Sequence, residues 1–360
     1  MKRFLAFLGL LLLALSVQPA HAATARQKLL LLGSNNCAGQ TLGLNFVSNT
    51  YCYNGSQLGN YTAIPGWTYS GGVLSGTGAS GVYEVCNGVQ TFFPAIAGNS
   101  TGPRVTPGCG LWVWGAATNS FLNSATGATQ TVTTTAASWT LSFYGTGSVV
   151  GTGFCTISLS GSGANNRVSQ TITATAGACV LTVTGSITSV QFEANPYASP
   201  YMPTTSAAVS RTADLPSVTL SPLLTSFTIV NKFASYPSGS NYVALFSLRQ
   251  DANHYLINLY NIKSGANDSN QITGTTGSPA GISDNNTHVI SASISSGNIL
   301  WSKDGVSGTA GTGTYTTPTT SNQLLLGVER NTSLYLTGAL KSVSLRSQSV
   351  SQSTLNGLQQ

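Results

Sequence analysis

Charge is what this sequence has least of. Only 6% of its 360 residues are charged, 14 Lys and Arg against 8 Asp and Glu, and the cations never cluster. The sequence pI near 9.0 therefore reflects a shortage of acids rather than a basic patch, which argues against nucleic-acid binding. Three histidines and no C-x-x-C pair leave no zinc-knuckle spacing. The longest apolar run, Phe4 to Val17, falls short of the roughly 20 residues that span a bilayer. Helical periodicity is scarce, because Gly, Ser, Thr and Asn dominate the uncharged polar content. They suit β-surfaces and turns and give helices little support. Internal repeats of the solenoid kind are missing as well.

The N-terminus combines Lys2 and Arg3, the apolar run, and Ala20-His21-Ala22. These are the parts of a secretory signal, with cleavage expected after Ala22. Losing residues 1–22 removes two positive charges, so the net charge falls from +6 to +4. The remaining chain is expected to be secreted, with no membrane attachment after cleavage.

The cysteines are Cys37, Cys52, Cys86, Cys109, Cys155 and Cys179, all in one half of the chain. Beside a secretory signal, disulfides are the expected state. Six cysteines allow fifteen connectivities. Sequential pairing is our expectation: 37–52, 86–109 and 155–179. For the last pair, Phe154-Cys155-Thr156-Ile157 and Cys179-Val180-Leu181-Thr182 read as neighbouring strands.

The length suggests two domains. Leu29–Leu32 is a candidate first strand. Up to about Ser80 the chain reads as turns and short strands, punctuated by Asn54-Gly55, Pro65-Gly66 and Gly71-Gly72. From Thr131, strands of six to eight residues recur at regular spacing, the pattern of a sandwich. The second half carries longer strands, SFTIVNKF, NYVALFSLR and HYLINLYNI, apolar on both faces. HVISASIS turns Ile290, Ala292 and Ile294 inward. NILWSKDG ends in Asp304-Gly305, a hairpin signal. The fold class is all-β, with two sandwich domains. Because the cysteines fall in the first, reduction is expected to loosen it and spare the second.

Between the halves lies VQFEANPYASPYMPTTSAAVSRTAD, Val190 to Asp214, whose prolines 196, 200 and 203 predict an extended connector. Gln191, Glu193, Ser199, Tyr201, Pro203, Thr204, Arg211, Ala213 and Asp214 together resemble a junction of bacteriophage and prophage structural proteins of the tail-fibre or spike kind. In that family a carbohydrate-binding-module-like jelly roll hands over to a laminin-G/concanavalin A-like module. Two departures stand out: Ala194-Asn195 replaces the family's glycine, and Met202 its isoleucine. After the signal at 1–22, the resemblance implies a jelly roll over 23–195, a linker at 196–211, a concanavalin A-like domain over 212–348, and a short helix or tail at 349–360.

Catalytic signatures are weak. A glycosidase needs two carboxylates roughly 5–9.5 Å apart, and no two acids share a strand at suitable spacing. Gly98-Asn99-Ser100-Thr101-Gly102 matches a nucleophile elbow in letters, but prolines surround it and no helix follows. His254 and His288 each begin a strand. Binding remains. Saccharides present apolar faces and hydroxyl rims, so aromatic platforms hold them. The candidates are Trp67, Tyr69, Trp112, Trp114, Tyr242, Tyr255 and Trp301, each with core packing as the alternative. Asp284, beside Asn285 and Asn286, is a weak calcium candidate; otherwise no cofactor is expected. The function expected is non-catalytic, lectin-like binding of carbohydrate, by a secreted or virion protein attaching to cell-surface polysaccharide. The alternatives are a structural or protein-interaction part of a phage fibre, bound to other virion proteins or to itself, and a glycoside hydrolase of concanavalin A-like fold.

Overall fold

A computed structural model of the chain describes residues 37, 39–77, 79–96, 100–221, 224–236, 244–249, 255–260, 286–295, 298–308, 310–311, 322–328 and 335–358, with backbone alone at 249, 255–260 and 322. The expected signal at 1–22, Leu29–Leu32, Asp284, Tyr242 and His254 lie outside these residues.

Two β-sandwiches account for most of the strands. In the larger, one sheet runs in the order Val306–Ser307, Asn298–Lys303, Thr287–Ser295, Phe227–Ser235, Gly338–Arg346, Leu42–Asn45, Thr50–Tyr53 and Ser56–Leu58. Gly110–Val113 also pairs with Gly338–Arg346, over residues 338–340. The facing sheet is Tyr255–Tyr260, Ala244–Arg249, Asn322–Leu326, Leu215–Leu220 and Trp67–Ser70. Side chains of both sheets share one core, including Leu42, Leu44, Phe46, Leu111, Val218, Phe227, Phe233, Phe246, Leu324 and Leu345. Ile290, Ala292 and Ile294 point into it as the alternation predicted. Asp304 and Gly305 both have positive φ, 48° and 84°, and close the expected hairpin onto Val306.

The smaller sandwich packs the three strands Gly163–Ala174, Ala137–Gly145 and Ile187–Glu193 against the four strands Gln130–Thr134, Gly177–Thr184, Ser148–Gly153 and Ile157–Ser160. Trp139, Leu141, Phe143 and Phe192 centre its core. The terminal helix Gln352–Gly357 is capped by Ser351, whose side chain accepts from the Thr354 N–H. It places Leu355 and Leu358 over Val230, on the outer face of the larger sheet.

The disulfides pair sequentially: Cys37–Cys52, Cys86–Cys109 and Cys155–Cys179. Their location corrects the expected boundaries. Residues 42–58, 67–70 and 105–113 are strands of the larger sandwich, not of a jelly roll spanning 23–195. The reason is the apolar edge of Gly338–Arg346. Leu42 lies opposite Leu345 and Leu44 opposite Val343, so the N-terminal strand satisfies backbone groups and apolar surface that the C-terminal half lacks partners for. The smaller sandwich is thus inserted between strands of the larger.

The expected linker at 196–211 is also corrected. Ser199, Pro200, Tyr201, Met202 and Thr204 are buried, and Val209–Arg211 is a strand between Ala117–Asn119 and Leu74–Ser75. The Met202 N–H donates to Gln191 Oε1 at 2.9 Å, and the Thr204 hydroxyl donates to the Phe121 carbonyl. Hydrogen bonds of this kind fix an extended chain that proline alone only stiffens.

A fragment beginning at Tyr201 is therefore expected to fail as an independent domain, since it lacks Leu42, Leu44, Phe46, Leu111 and Val113. Circular dichroism melts of residues 201–360 should show no cooperative transition. Limited proteolysis of the whole chain under reductant should yield no stable fragment starting there, and persistence of such a fragment would contradict this topology.

Candidate functional site

Between residues 29 and 214 the sequence contains six charged side chains: Glu84, Arg104, Arg167, Glu193, Arg211 and Asp214. All six meet where the two sandwiches join. Arg104 is fully buried. Its Nε donates to Glu84 Oε1 at 2.7 Å, and its Nη1 and Nη2 donate to the two oxygens of Asp214 at 3.1 and 2.6 Å. Arg211 Nη1 donates to Asp214 Oδ1 at 3.0 Å, and its Nη2 to the Gly115 carbonyl at 2.7 Å. The Tyr69 hydroxyl and the Trp114 N–H complete the shell of Asp214 at 2.7 and 2.8 Å.

The two carboxylates of this quartet are unequal. Burial pushes Asp214 up, but Arg104 and Arg211 outweigh it and hold the group below the ordinary carboxylate range. Five donors reach Asp214, whereas Glu84 has one. Burial accordingly raises Glu84 to about 6, against the pull of Arg104.

Glu193 organises the other side. It accepts from the Ser199 N–H at 2.7 Å and the Ser199 hydroxyl at 2.6 Å, with Gln191 and Asn195 adding two more donors. Arg167, from the smaller sandwich, then donates from Nη1 to the Ser199 carbonyl at 2.7 Å and from Nη2 to Ser142 Oγ at 2.8 Å.

These anchors frame a cleft of about 820 Å³. Six aromatic residues line it: Tyr83, Trp112, Trp114, Tyr144, Tyr197 and Tyr236. Asn165, Asn166, Arg167, Ser169 and Thr171 add a polar flank from the Gly163–Ala174 strand. Trp112 and Trp114 stack at 6.3 Å between centroids, Tyr236 lies 5.7 Å from Trp114, and Tyr197 lies 6.1 Å from it. Trp112, in the strand Gly110–Val113, and Trp114, just past its end, fall in one cluster. The Cys86–Cys109 bridge packs in the same cluster. Three residues of this wall carry buried polar atoms with no partner among the described residues: Trp114 Nε1, Tyr144 OH and Arg167 Nε. Buried polar groups are nearly always paired, so hydrogen-bonding capacity at the cleft is left over.

Of the seven aromatic candidates, the cleft gathers Trp112 and Trp114. Trp67 packs beside Tyr61 at 5.1 Å, against the larger core. Tyr69 serves Asp214. Trp301 is a core residue, 7% exposed. The side chain of Tyr255 and all of Tyr242 are outside the described residues. His288 Nδ1 meets Asp304 Oδ2 at 2.6 Å beside a hairpin. Among the described residues no group of three His, Cys, Asp or Glu is placed to hold a metal. The sequence reading missed Tyr83, Tyr144, Arg167, Tyr197 and Tyr236 as wall residues. Only Arg167 carried a signal, the rarity of charge: in so neutral a stretch, each charged residue marks a built position.

No protein-family model and no curated protein matches the chain. Solved structures match at low identity and low TM-score. A Trypanosoma rangeli sialidase in complex with the inhibitor DANA matches at 10% identity and TM-score 0.29, over 40% of this chain and 29% of that one. A heptameric SAP-like pentraxin from Limulus polyphemus matches at 9% and 0.24, over 39% and 72%. Mouse laminin alpha1 domains LG4-5 match at 11% and 0.23, over 69% and 96%. This chain thus spans under a third of the sialidase.

Two outcomes follow from the quartet. Substituting Asp214→Asn leaves two buried guanidiniums short of an anion and should cost about 3–5 kcal/mol, read from urea midpoints. The unfolded chain ionises Glu84 near 4.5, but the folded chain holds that proton to about 6. Stability from this group is complete below 4.5 and is lost as pH rises through 6, about 2 kcal/mol in all. Asp214 runs the opposite way, losing its contribution only as pH falls through its depressed folded value. Glu84→Gln should flatten the slope between pH 4.5 and 6; an unchanged slope would remove Glu84 as its source.

Proposed function

We propose that the protein is a non-catalytic glycan-binding protein whose site is the aromatic cleft between the two sandwiches, and that it serves attachment to cell-surface polysaccharide. The observation that carries this reading is the wall itself. Six aromatic residues, an amide and hydroxyl flank, and unpartnered buried polar atoms converge on one concavity of ligand-site size. Aromatic faces suit the C–H surface of a sugar ring, and the flank of Asn165, Asn166, Ser169 and Thr171 suits its hydroxyls. Three disulfides support a place outside the reducing cytoplasm. Among the described residues no helix is long and apolar enough to cross a membrane.

Support for a non-catalytic role comes from the same wall, where Glu84 is the one carboxylate among the described residues. Its oxygen is held by Arg104, and glycoside hydrolysis ordinarily uses a pair. The phage setting implied by the joint belongs to this proposal too, with a fibre or spike component that binds no sugar as its rival.

A glycan array of bacterial and plant polysaccharides probed with the protein should show selective binding, with quenching or shift of tryptophan fluorescence from Trp112 and Trp114. Tyr197→Ala should weaken binding about tenfold or more while leaving the melting temperature within a few degrees. Absence of binding to every glycan would favour the structural role. Release of reducing ends from a bound polysaccharide would establish the hydrolase instead.

A further inference from the structure

The hydrogen-bonding capacity left over at the cleft is one-sided. Trp114 Nε1–H and Arg167 Nε–H can only donate, and the Tyr144 hydroxyl carries a proton to give. Trp114 and Tyr144 are each 4% exposed, so water at the surface does not serve them. The one carboxylate of the wall, Glu84, is engaged by Arg104 at 2.7 Å. Among the described residues, the wall therefore offers donors and no free anionic acceptor.

Charge points the same way. Arg104, Arg211, Glu84 and Asp214 form a quartet of two cations and two anions, neutral when all are ionised. Arg167 stands apart from it. Its guanidinium rests on two neutral acceptors, the Ser199 carbonyl and the Ser142 hydroxyl, and it forms no ion pair among the described residues. Glu193 lies behind Ser199, fully buried, with its oxygens filled by neutral donors. It balances the field of Arg167 without occupying its N–H groups. Arg167 is thus the cation of the cleft wall.

Resting on the glycan-binding reading of this cleft, we infer that its ligand is an acidic saccharide, whose carboxylate, sulfate or phosphate oxygens accept from Arg167, Tyr144 and Trp114 while its ring lies among the aromatic residues. Guanidinium–oxyanion bonds are charge-assisted and directional, and a low-dielectric wall strengthens them further. A neutral sugar would fill the same space and leave these donors unmet.

The test uses the whole protein and matched pairs of polymers. Polygalacturonate is compared with its carboxyl-reduced form, a sulfated galactan with its desulfated form, and a phosphate-bearing polysaccharide with its dephosphorylated form, by isothermal titration at 50 and 300 mM salt. We expect about tenfold or greater preference for at least one acidic member, weakening at the higher salt; the pair that shows it identifies the oxyanion. Tyr144→Phe removes only a hydroxyl that has no protein partner, so the melting temperature should hold or rise while acidic binding falls several-fold. Arg167→Lys keeps the charge but loses the planar fork, and should lose most of the preference. Equal or tighter binding of the neutral members would overturn the inference and leave the glycan reading standing. Acidic preference unmoved by both variants would remove it from this cleft. Binding of neither member of any pair, with an empty glycan array, would sink the parent reading and this inference together.

Discussion

The structure depends on a buried guanidinium, Arg104, held between Asp214 and Glu84. Withdrawing such charges from water costs several kcal/mol per ion, and their mutual attraction repays it only when every lone pair and proton is placed. Here the placement is nearly complete: all three nitrogens of Arg104 donate, and Asp214 accepts five hydrogen bonds. Such a cluster contributes less net stability than specificity. It tolerates one arrangement of the segments that supply it: the Gly81–Cys86 hairpin strand, the approach to Gly110–Val113, Tyr69 at the end of the facing sheet, and the Val209–Arg211 strand with the residues after it.

The cleft inherits its shape from that arrangement. The backbone of Trp114 is tied to Asp214 and the carbonyl of Gly115 to Arg211, so the indoles of Trp112 and Trp114 are positioned by the same ions that close the joint. On the opposite wall, Glu193 fixes Ser199, and Ser199 fixes Arg167. A cleft whose two walls come from different sandwiches is thus set by hydrogen bonds rather than by apolar packing, which is non-directional. The Cys86–Cys109 bridge adds a covalent constraint beside the stacked tryptophans.

Several features were legible from residue order. Period-2 alternation placed Ile290, Ala292 and Ile294 in the core, Asp304-Gly305 announced its hairpin, and the three disulfides follow the order of the cysteines. Each is a local property, decided within a few residues or, for the disulfides, between cysteines 15 to 24 residues apart. The residues that single out the Val190–Asp214 joint were readable too: Gln191, Glu193, Ser199, Tyr201, Thr204, Arg211 and Asp214 are all buried, and the hydrogen bonds of the joint run through them. Their mechanical role was not readable, because an extended proline-containing segment looks the same as a free linker or as a packed seam.

The sequence by itself determined an all-β chain with strands of known period, turns at known glycines, and a scarcity of charge that left six charged residues in the stretch from 29 to 214. Only the tertiary structure decided that residues 42–58 join the strand Gly338–Arg346, nearly 300 positions away, and that those six residues meet. Pairing across such a distance depends on which apolar edge is left open once the rest has folded, and local pattern carries no record of that. The same holds for the cleft: Tyr83, Tyr144, Tyr197 and Tyr236 are unremarkable where they stand in the chain, and join Trp114 and Arg167 in one wall only when two sandwiches are locked around a buried ion cluster.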